Sequence, residues 1–174
     1  MNFNLSEEQL AFQDAARAFA QGEMAPHAAH WDEHSVFPRE LLSAAGEMGF
    51  CGLYSPEECG GMALSRIDTM VIVEELAAAC PSTAAFITIH NMATWMIANW
   101  GQETLKTDWV GQLTSGEKLA SYCLTEPGAG SDAASLRTTA KLDGDHYIVN
   151  GSKAFISGAG ATDVLVVMAR TGGS

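Results

Sequence analysis

Tyr122-Cys123-Leu124-Thr125-Glu126-Pro127-Gly128-Ala129-Gly130-Ser131-Asp132 is the stretch on which the reading of this chain turns. Before it the apolar residues recur with helical spacing; after it they alternate in short runs. An extended apolar run, 119–124, leads into Pro127, which fixes φ and has no backbone N–H to donate. Gly128 and Gly130 lack the Cβ atoms that would hold a ligand away from the backbone. Ser131 and Asp132 follow with side chains suited to local hydrogen bonding or capping. Successive N–H groups in such a turn can point into one concavity and hold an anion without Lys or Arg. The same residues also make a good surface turn between strands, so taken alone the stretch leaves both readings open. A dinucleotide fingerprint is the nearest alternative motif: Gly128-x-Gly130-x-x-Ala133 fits its spacing, and Asp143 and Asp145 lie near the distance of a ribose ligand. That fingerprint must open a helix. Residues 131–140 show no 3.6-residue repeat and carry Thr138-Thr139, and strand-like Tyr147-Ile148-Val149 follows, which rejects an NAD site.

The 174 residues are 47% hydrophobic, enough for a sizeable core, and their number fits one domain and part of another. Acids outnumber Lys and Arg by 21 to 9, a formal net charge of −12. Nucleic acid and anionic membrane both need clustered positive charge and are not expected as partners. An anionic cofactor would have to be held by local N–H groups and helix ends against this field. With no signal peptide, no Arg-rich transit peptide and no apolar span of about 20 residues, a cytoplasmic protein without membrane insertion is expected. Cys51, Cys59, Cys80 and Cys123 show no C-x-x-C pairing and are expected as free thiols. His27, His30 and His34 fall along one side of a helix, but no acid completes a ligand set, so a solvated face and no metal site are expected.

Ser6-x-x-Gln9 is a capping box and predicts a helix to about Gln21. Pro26 suits the first turn of a second helix through Trp31. Pro38 opens a third, with Leu41, Leu42, Ala45 and Met48 inward and Gly49 as its stop. Residues 50–65 hold Pro56, Gly60 and Gly61 with little periodicity and read as a loop. Ser65-x-x-Asp68 is a second capping box, for a helix ending before Pro81. Residues 82–100 are nearly all apolar or small and predict a buried central helix. Within it His90-Asn91 is polar, with a satisfied core pair as the default reading and a ligand-facing pair as the alternative. A last short helix runs from Gln102 to Ser115. From Lys118 the period is two, with strands expected at 119–125, 136–142, 146–150, 153–157 and 163–169, and hairpin turns at Asp143-Gly144 and Asn150-Gly151. The chain then stops at Thr171-Gly172-Gly173-Ser174, directly after an apolar strand; open strand edges of this kind predict a fragment, or dependence on a partner.

Over essentially its whole length the chain resembles the acyl-CoA dehydrogenase family. The resemblance is carried by Tyr122 to Asp132 and by Asn150-Gly151-Ser152-Lys153-Ala154-Phe155-Ile156-Ser157, both long, ordered and correctly spaced. Ile89-His90-Asn91-Met92 and the run from Lys153 to Gly160 are most similar to the branch of the family that acts on isobutyryl-CoA in valine breakdown. The resemblance implies an α+β multidomain fold: an all-α N-terminal domain at 1–117, then the first part of an antiparallel β-barrel-like middle domain at 118–174, with the C-terminal helical domain absent. It implies FAD-dependent α,β-dehydrogenation of a short branched-chain acyl-CoA, an electron-transfer flavoprotein as acceptor and a homotetramer. The cofactor would lie along Tyr122, Cys123, Leu124, Thr125, Glu126, Pro127, Gly128, Ala129, Gly130 and Ser131, with Phe155, Ile156 and Ser157 screening it from a second strand. Ser131 would also touch the CoA portion of the substrate. Many members carry Trp where this chain has Phe155. The catalytic glutamate belongs to the C-terminal domain, and the resemblance does not transfer that role to Glu126, so no catalytic residue is expected within the 174. Two other readings stay open: a flavin- or CoA-binding homologue without turnover, and a helical interaction module with a β-appendage and no cofactor.

Overall fold

The computed structural model describes residues 4–172. Helices come first: α1 (Glu7–Phe19), α2 (Ala28–His34), α3 (Arg39–Glu47), α4 (Arg66–Ala79), α5 (Pro81–Trp100) and α6 (Glu103–Thr114). Four short strands follow: β1 (Ala120–Cys123), β2 (Thr139–Asp143), β3 (His146–Asn150) and β4 (Val164–Val167). The order of a helical part and then a β part is the one expected from the change in periodicity. Gly173 and Ser174, on which the reading of the chain end partly rested, lie outside the described residues.

Both capping boxes form. Ser6 accepts from the Gln9 amide and the Gln9 carbonyl oxygen accepts from the Ser6 amide; Ser65 and Asp68 repeat the exchange. Gln9 also donates to Asp68 Oδ1 at 2.8 Å, so the two helix starts are tied together. α1 does not stop near residue 21 but passes into a π-turn, Ala20–Met24, which buries Ala20 and Met24. Pro26 sits in the turn before α2 rather than inside it. Met48, expected inward, is 43% exposed, because it occupies the C-cap of α3, where the chain leaves the helix.

α5 is the axis of the molecule. Its buried residues include Thr83, Phe86, Ile87, His90, Asn91, Thr94 and Ile97, and a main core of Leu42, Leu53, Ile72, Leu76 and Ile87 gathers against it. No helix among the described residues is long and apolar enough to cross a membrane. His90 and Asn91 are the satisfied core pair. Asn91 Oδ1 accepts from the Leu53 amide at 2.7 Å, and Nδ2 donates to the carbonyls of Phe50 (2.7 Å) and Ile87 (2.9 Å). The side chain thus completes the loop backbone that the sequence could only describe as irregular. His90 Nδ1 accepts from the Ala120 amide at 3.0 Å, which leaves the proton on Nε2 to donate to Leu113 O at 3.0 Å. One imidazole therefore joins α5, the end of α6 and the start of β1.

Burial holds His90 neutral and pushes its pKa from 6.5 down to about 4. The unfolded chain takes up this proton first, so the contribution is complete above pH 6.5 and is lost as pH falls toward 4. Unfolding free energy should drop through this window by at most about 3 kcal/mol. In His90→Gln that slope should vanish, which urea unfolding at stepped pH would show.

The β part departs from the antiparallel expectation. β2 and β3 form the antiparallel hairpin, with Asp143 opposite His146 and Gly144-Asp145 at its tip. β1, however, pairs in parallel with β4, Ala120 opposite Val164 and Cys123 opposite Val167. Residues 153–157 form no strand, and Asn150-Gly151 is no hairpin turn: the chain leaves β3 there and crosses beside Thr138. A Cβ at Gly151 would lie 2.2 Å from Thr138 Oγ1, which is why a glycine stands at the crossing. The described strands close no barrel. The β part is docked onto the helices by Arg39, which donates to Ala161 O (2.7 Å) and Asp163 Oδ2 (2.6 Å), while Asp163 accepts from the Leu119 amide (2.8 Å). Gly158 takes a left-handed φ of 77°, and a Cβ there would meet Phe86 at 2.6 Å.

Candidate functional site

Both motifs singled out in the sequence meet in space. β1 runs out at Cys123, and the stretch 124–131 continues beside the irregular segment 153–157. The Ala154 amide donates to Thr125 O at 2.9 Å. Lys153 Nζ donates to Leu124 O and to Glu126 Oε1, each at 2.9 Å. At the far end Ser121 Oγ donates to Ser157 O at 2.6 Å and pairs with Thr162 Oγ1 at 2.8 Å. The strand expected at 153–157 is replaced by an irregular segment held by three side-chain and backbone clamps.

Between these clamps stands Phe155. Its backbone φ is +56°, the left-handed region that a bulky side chain rarely enters, and its ring is 94% exposed. Nothing the ring touches accounts for the strained conformation. Strain of this kind persists where the surroundings over-determine it and clusters at ligand clamps. Thr125, half-buried beside it, has a hydroxyl that makes no hydrogen bond among the described residues. An exposed aromatic ring and an unpartnered hydroxyl, on segments joined by the Ala154–Thr125 backbone bond, suit a flat ligand with polar atoms on its rim.

The glycine turn differs from the simplest anion cradle. Glu126 and Ala129 exchange backbone hydrogen bonds at 3.0 and 3.1 Å, so Pro127-Gly128 forms a tight closed tip. Neither Gly128 nor Gly130 is left-handed, so no nest of converging amides is built. A Cβ on either glycine would meet nothing within 4 Å; the space beside the backbone is open. Ser131 is exposed, and the Asp132 side chain does not cap the 3-10 turn Ala133–Ser135 that follows it. Tyr122 packs against a second core cluster that includes Ala93, Ile97, Val110 and Leu113, and the Cys123 and Ala129 side chains are buried, so these positions can meet a ligand mainly through backbone. Ile156 is half-buried and Ser157 exposed.

Glu126 is committed inward. Its carboxylate accepts from the amides of Arg137 (2.6 Å) and Thr138 (2.8 Å) and from Lys153. Hydrogen bonding from Thr138, then from the Arg137 amide and Lys153, holds its pKa at about 2, against an ordinary 4.5. A carboxylate this acidic, with its oxygens occupied, is no proton acceptor near neutrality; Glu126 ties the turn to the segment before β2 and to Lys153. Reading by sequence placed Glu126 among ligand-contacting residues and gave Lys153 and Ser121 no role. The signal for Lys153 was present, since it is one of nine cations in an acidic chain and lies inside a motif. Among the described residues no His, Cys, Asp and Glu group could hold a metal ion.

Residues 6–117 match the family described as acyl-CoA dehydrogenase, N-terminal domain, and residues 121–174 its middle domain. The chain is 53% identical over 172 residues to isobutyryl-CoA dehydrogenase, mitochondrial, of Bos taurus, covering 99% of this chain and 41% of that protein. It is 54% identical over 168 residues to the Dictyostelium discoideum protein of the same name, covering 97% of this chain and 40% of that protein. A glutaryl-CoA dehydrogenase from Mycobacterium smegmatis, solved in complex with FADH2, superposes with a TM-score of 0.91 at 27% identity, over 96% of this chain and 43% of that one. The chain thus spans less than half the length of these relatives.

Proposed function

Because the chain belongs to the acyl-CoA dehydrogenase family, we propose that it supplies the FAD-contacting side of an enzyme that introduces an α,β double bond into a short branched-chain acyl-CoA, isobutyryl-CoA above all. The observation that carries this is Phe155, strained and bare beside the unpartnered Thr125 hydroxyl, on two segments clamped together. These residues fit a flat isoalloxazine with a polar rim. Phe155 would cover its face, Ile156 and Ser157 would continue that wall, and the Thr125 hydroxyl would donate to its edge. The stretch from Tyr122 to Ser131 would run alongside, with open backbone at Gly128 and Gly130 for the phosphate-bearing tail and the Ser131 hydroxyl reaching both FAD and the CoA portion of the substrate. When bound, FAD supplies an acceptor for the hydride that leaves the β-carbon of the thioester.

The chain's own residues position and shield. Phe155 would screen the isoalloxazine from water, and the Thr125 hydroxyl would place a donor at the ring edge where negative charge develops. The α-proton needs a carboxylate base, and Glu126, its oxygens filled by Lys153 and two amides, does not serve. We assign the base to a C-terminal helical domain outside these 174 residues, with an electron-transfer flavoprotein as acceptor and a homotetramer as the working assembly.

Two outcomes test the reading. The full-length polypeptide, reconstituted with FAD, should be yellow and should oxidise isobutyryl-CoA faster than a straight-chain or dicarboxylic acyl-CoA. A colourless product rejects the cofactor; a preference for another acyl chain rejects the substrate. The purified 174-residue chain should show no turnover with isobutyryl-CoA and a dye acceptor, and measurable turnover would place the base within it.

A further inference from the structure

We propose that Lys153, through its buried ion pair with Glu126, is a positioning residue that holds Phe155 at the cofactor face; this rests on the FAD reading above. The segment 153–157 has no strand ladder to fix it, and the exposed Phe155 ring makes no packing that could hold a left-handed backbone. Its conformation must therefore be imposed from its ends. On one side Lys153 Nζ bridges Leu124 O and Glu126 Oε1, which flank Thr125 on either side, and the next amide, Ala154 N–H, donates to Thr125 O. On the other side Ser121 Oγ holds Ser157 O. Phe155 lies between the two anchors.

The ion pair is sheltered, with the Lys153 and Glu126 side chains only 12% and 7% exposed. A pair at that depth is broken at considerable cost when one partner is removed, because the other charge is left buried. Glu126 is in turn held by the Arg137 and Thr138 amides, so Lys153 hangs on a rigid post, and its ammonium reaches back over the residue that carries the unpartnered hydroxyl. The ion pair thus sets the distance between Thr125 and Phe155, the two groups through which the ring would be held. A role confined to neutralising Glu126 would stabilise the fold and leave FAD affinity untouched.

The test uses the full-length polypeptide with FAD as the probe. Flavin fluorescence quenching gives the dissociation constant, the visible spectrum gives the ring's surroundings, and urea unfolding gives stability. Lys153→Met should weaken FAD by at least about tenfold and move the visible spectrum toward that of free FAD, and Lys153→Arg, which keeps the charge, should recover most of the affinity. Phe155→Ala should also weaken FAD, and the double variant Lys153→Met with Phe155→Ala should be no worse than Phe155→Ala alone, since Lys153 acts through Phe155. If Lys153→Met does not fold, Glu126→Gln carries the same expectation, because it removes the charge that holds Lys153 while its one remaining oxygen still accepts from the Thr138 amide. Parent affinity and spectrum in a folded Lys153→Met or Glu126→Gln variant, or additive losses in the double variant, would overturn the proposal while leaving the FAD reading intact. A parent protein that binds no FAD would remove the FAD reading itself.

Discussion

Phe155→Gly in the full-length polypeptide should bind FAD at least tenfold more weakly and yet, with FAD removed from both, unfold at nearly the urea concentration of the parent. Removing a large aromatic residue usually destabilises by several kcal/mol, because a core cavity is left. Here the ring is 94% exposed and leaves no cavity. The left-handed backbone at φ +56° strains a non-glycine residue by about 1–2 kcal/mol, which glycine releases. Against this, glycine stabilises the unfolded chain by about 0.5–1 kcal/mol through its conformational freedom. The two terms nearly cancel, so net stability should stay within about 1 kcal/mol of the parent. Affinity has no such compensation: a ring-on-ring contact contributes about 0.5–1.5 kcal/mol beyond its area, and the buried area adds to that, so at about 1.4 kcal/mol per factor of ten the loss reaches tenfold or more. A variant that unfolds more than about 2 kcal/mol early would mean that the ring supports the fold, and parent-like affinity would mean that FAD does not meet it.

Asn91→Ala should lower the unfolding free energy by about 4 kcal/mol, as much as emptying a buried apolar core position. The amide is fully buried, and its partners at Leu53 N–H and Phe50 O belong to irregular backbone, with no helix or strand neighbour to take over. Each orphaned group costs about 1–3 kcal/mol, and the emptied volume adds to it. Asn91→Leu fills the space but leaves both groups without partners, so it should recover only the cavity part. Urea unfolding of parent and variants decides this: a loss below about 1 kcal/mol for Asn91→Ala would show that the loop backbone finds other partners.

What the sequence revealed followed the range of the interaction that decided each element. The capping boxes at Ser6 and Ser65 are local and were readable, as was the polar pair His90-Asn91, whose setting in an apolar helix predicted internal satisfaction. The irregular path of 153–157, where the pattern predicts a strand, was not readable. Lys153-Ala154-Phe155-Ile156-Ser157 has strand-like composition, but what shapes it is an ion pair to Glu126 and a hydroxyl from Ser121, both distant in sequence. Asn150-Gly151 carries the letters of a hairpin turn, yet its glycine is explained by the closeness of Thr138. The parallel partner of β1 was likewise hidden, because alternation marks a strand without naming its neighbour. Of the candidate site, the sequence singled out two motifs, and the structure clamps them together through Glu126 and Lys153.

The pairing of β1 with β4 also sets an order for synthesis on the ribosome. Helices α1 to α6, and the His90 side chain that will receive the Ala120 amide, emerge before β1, whereas β4 emerges only after the β2–β3 hairpin has been made. During translation β1 can therefore rest on a finished helical platform while its lateral partner is still inside the exit tunnel, held by one imidazole until Val164–Val167 arrives beside it.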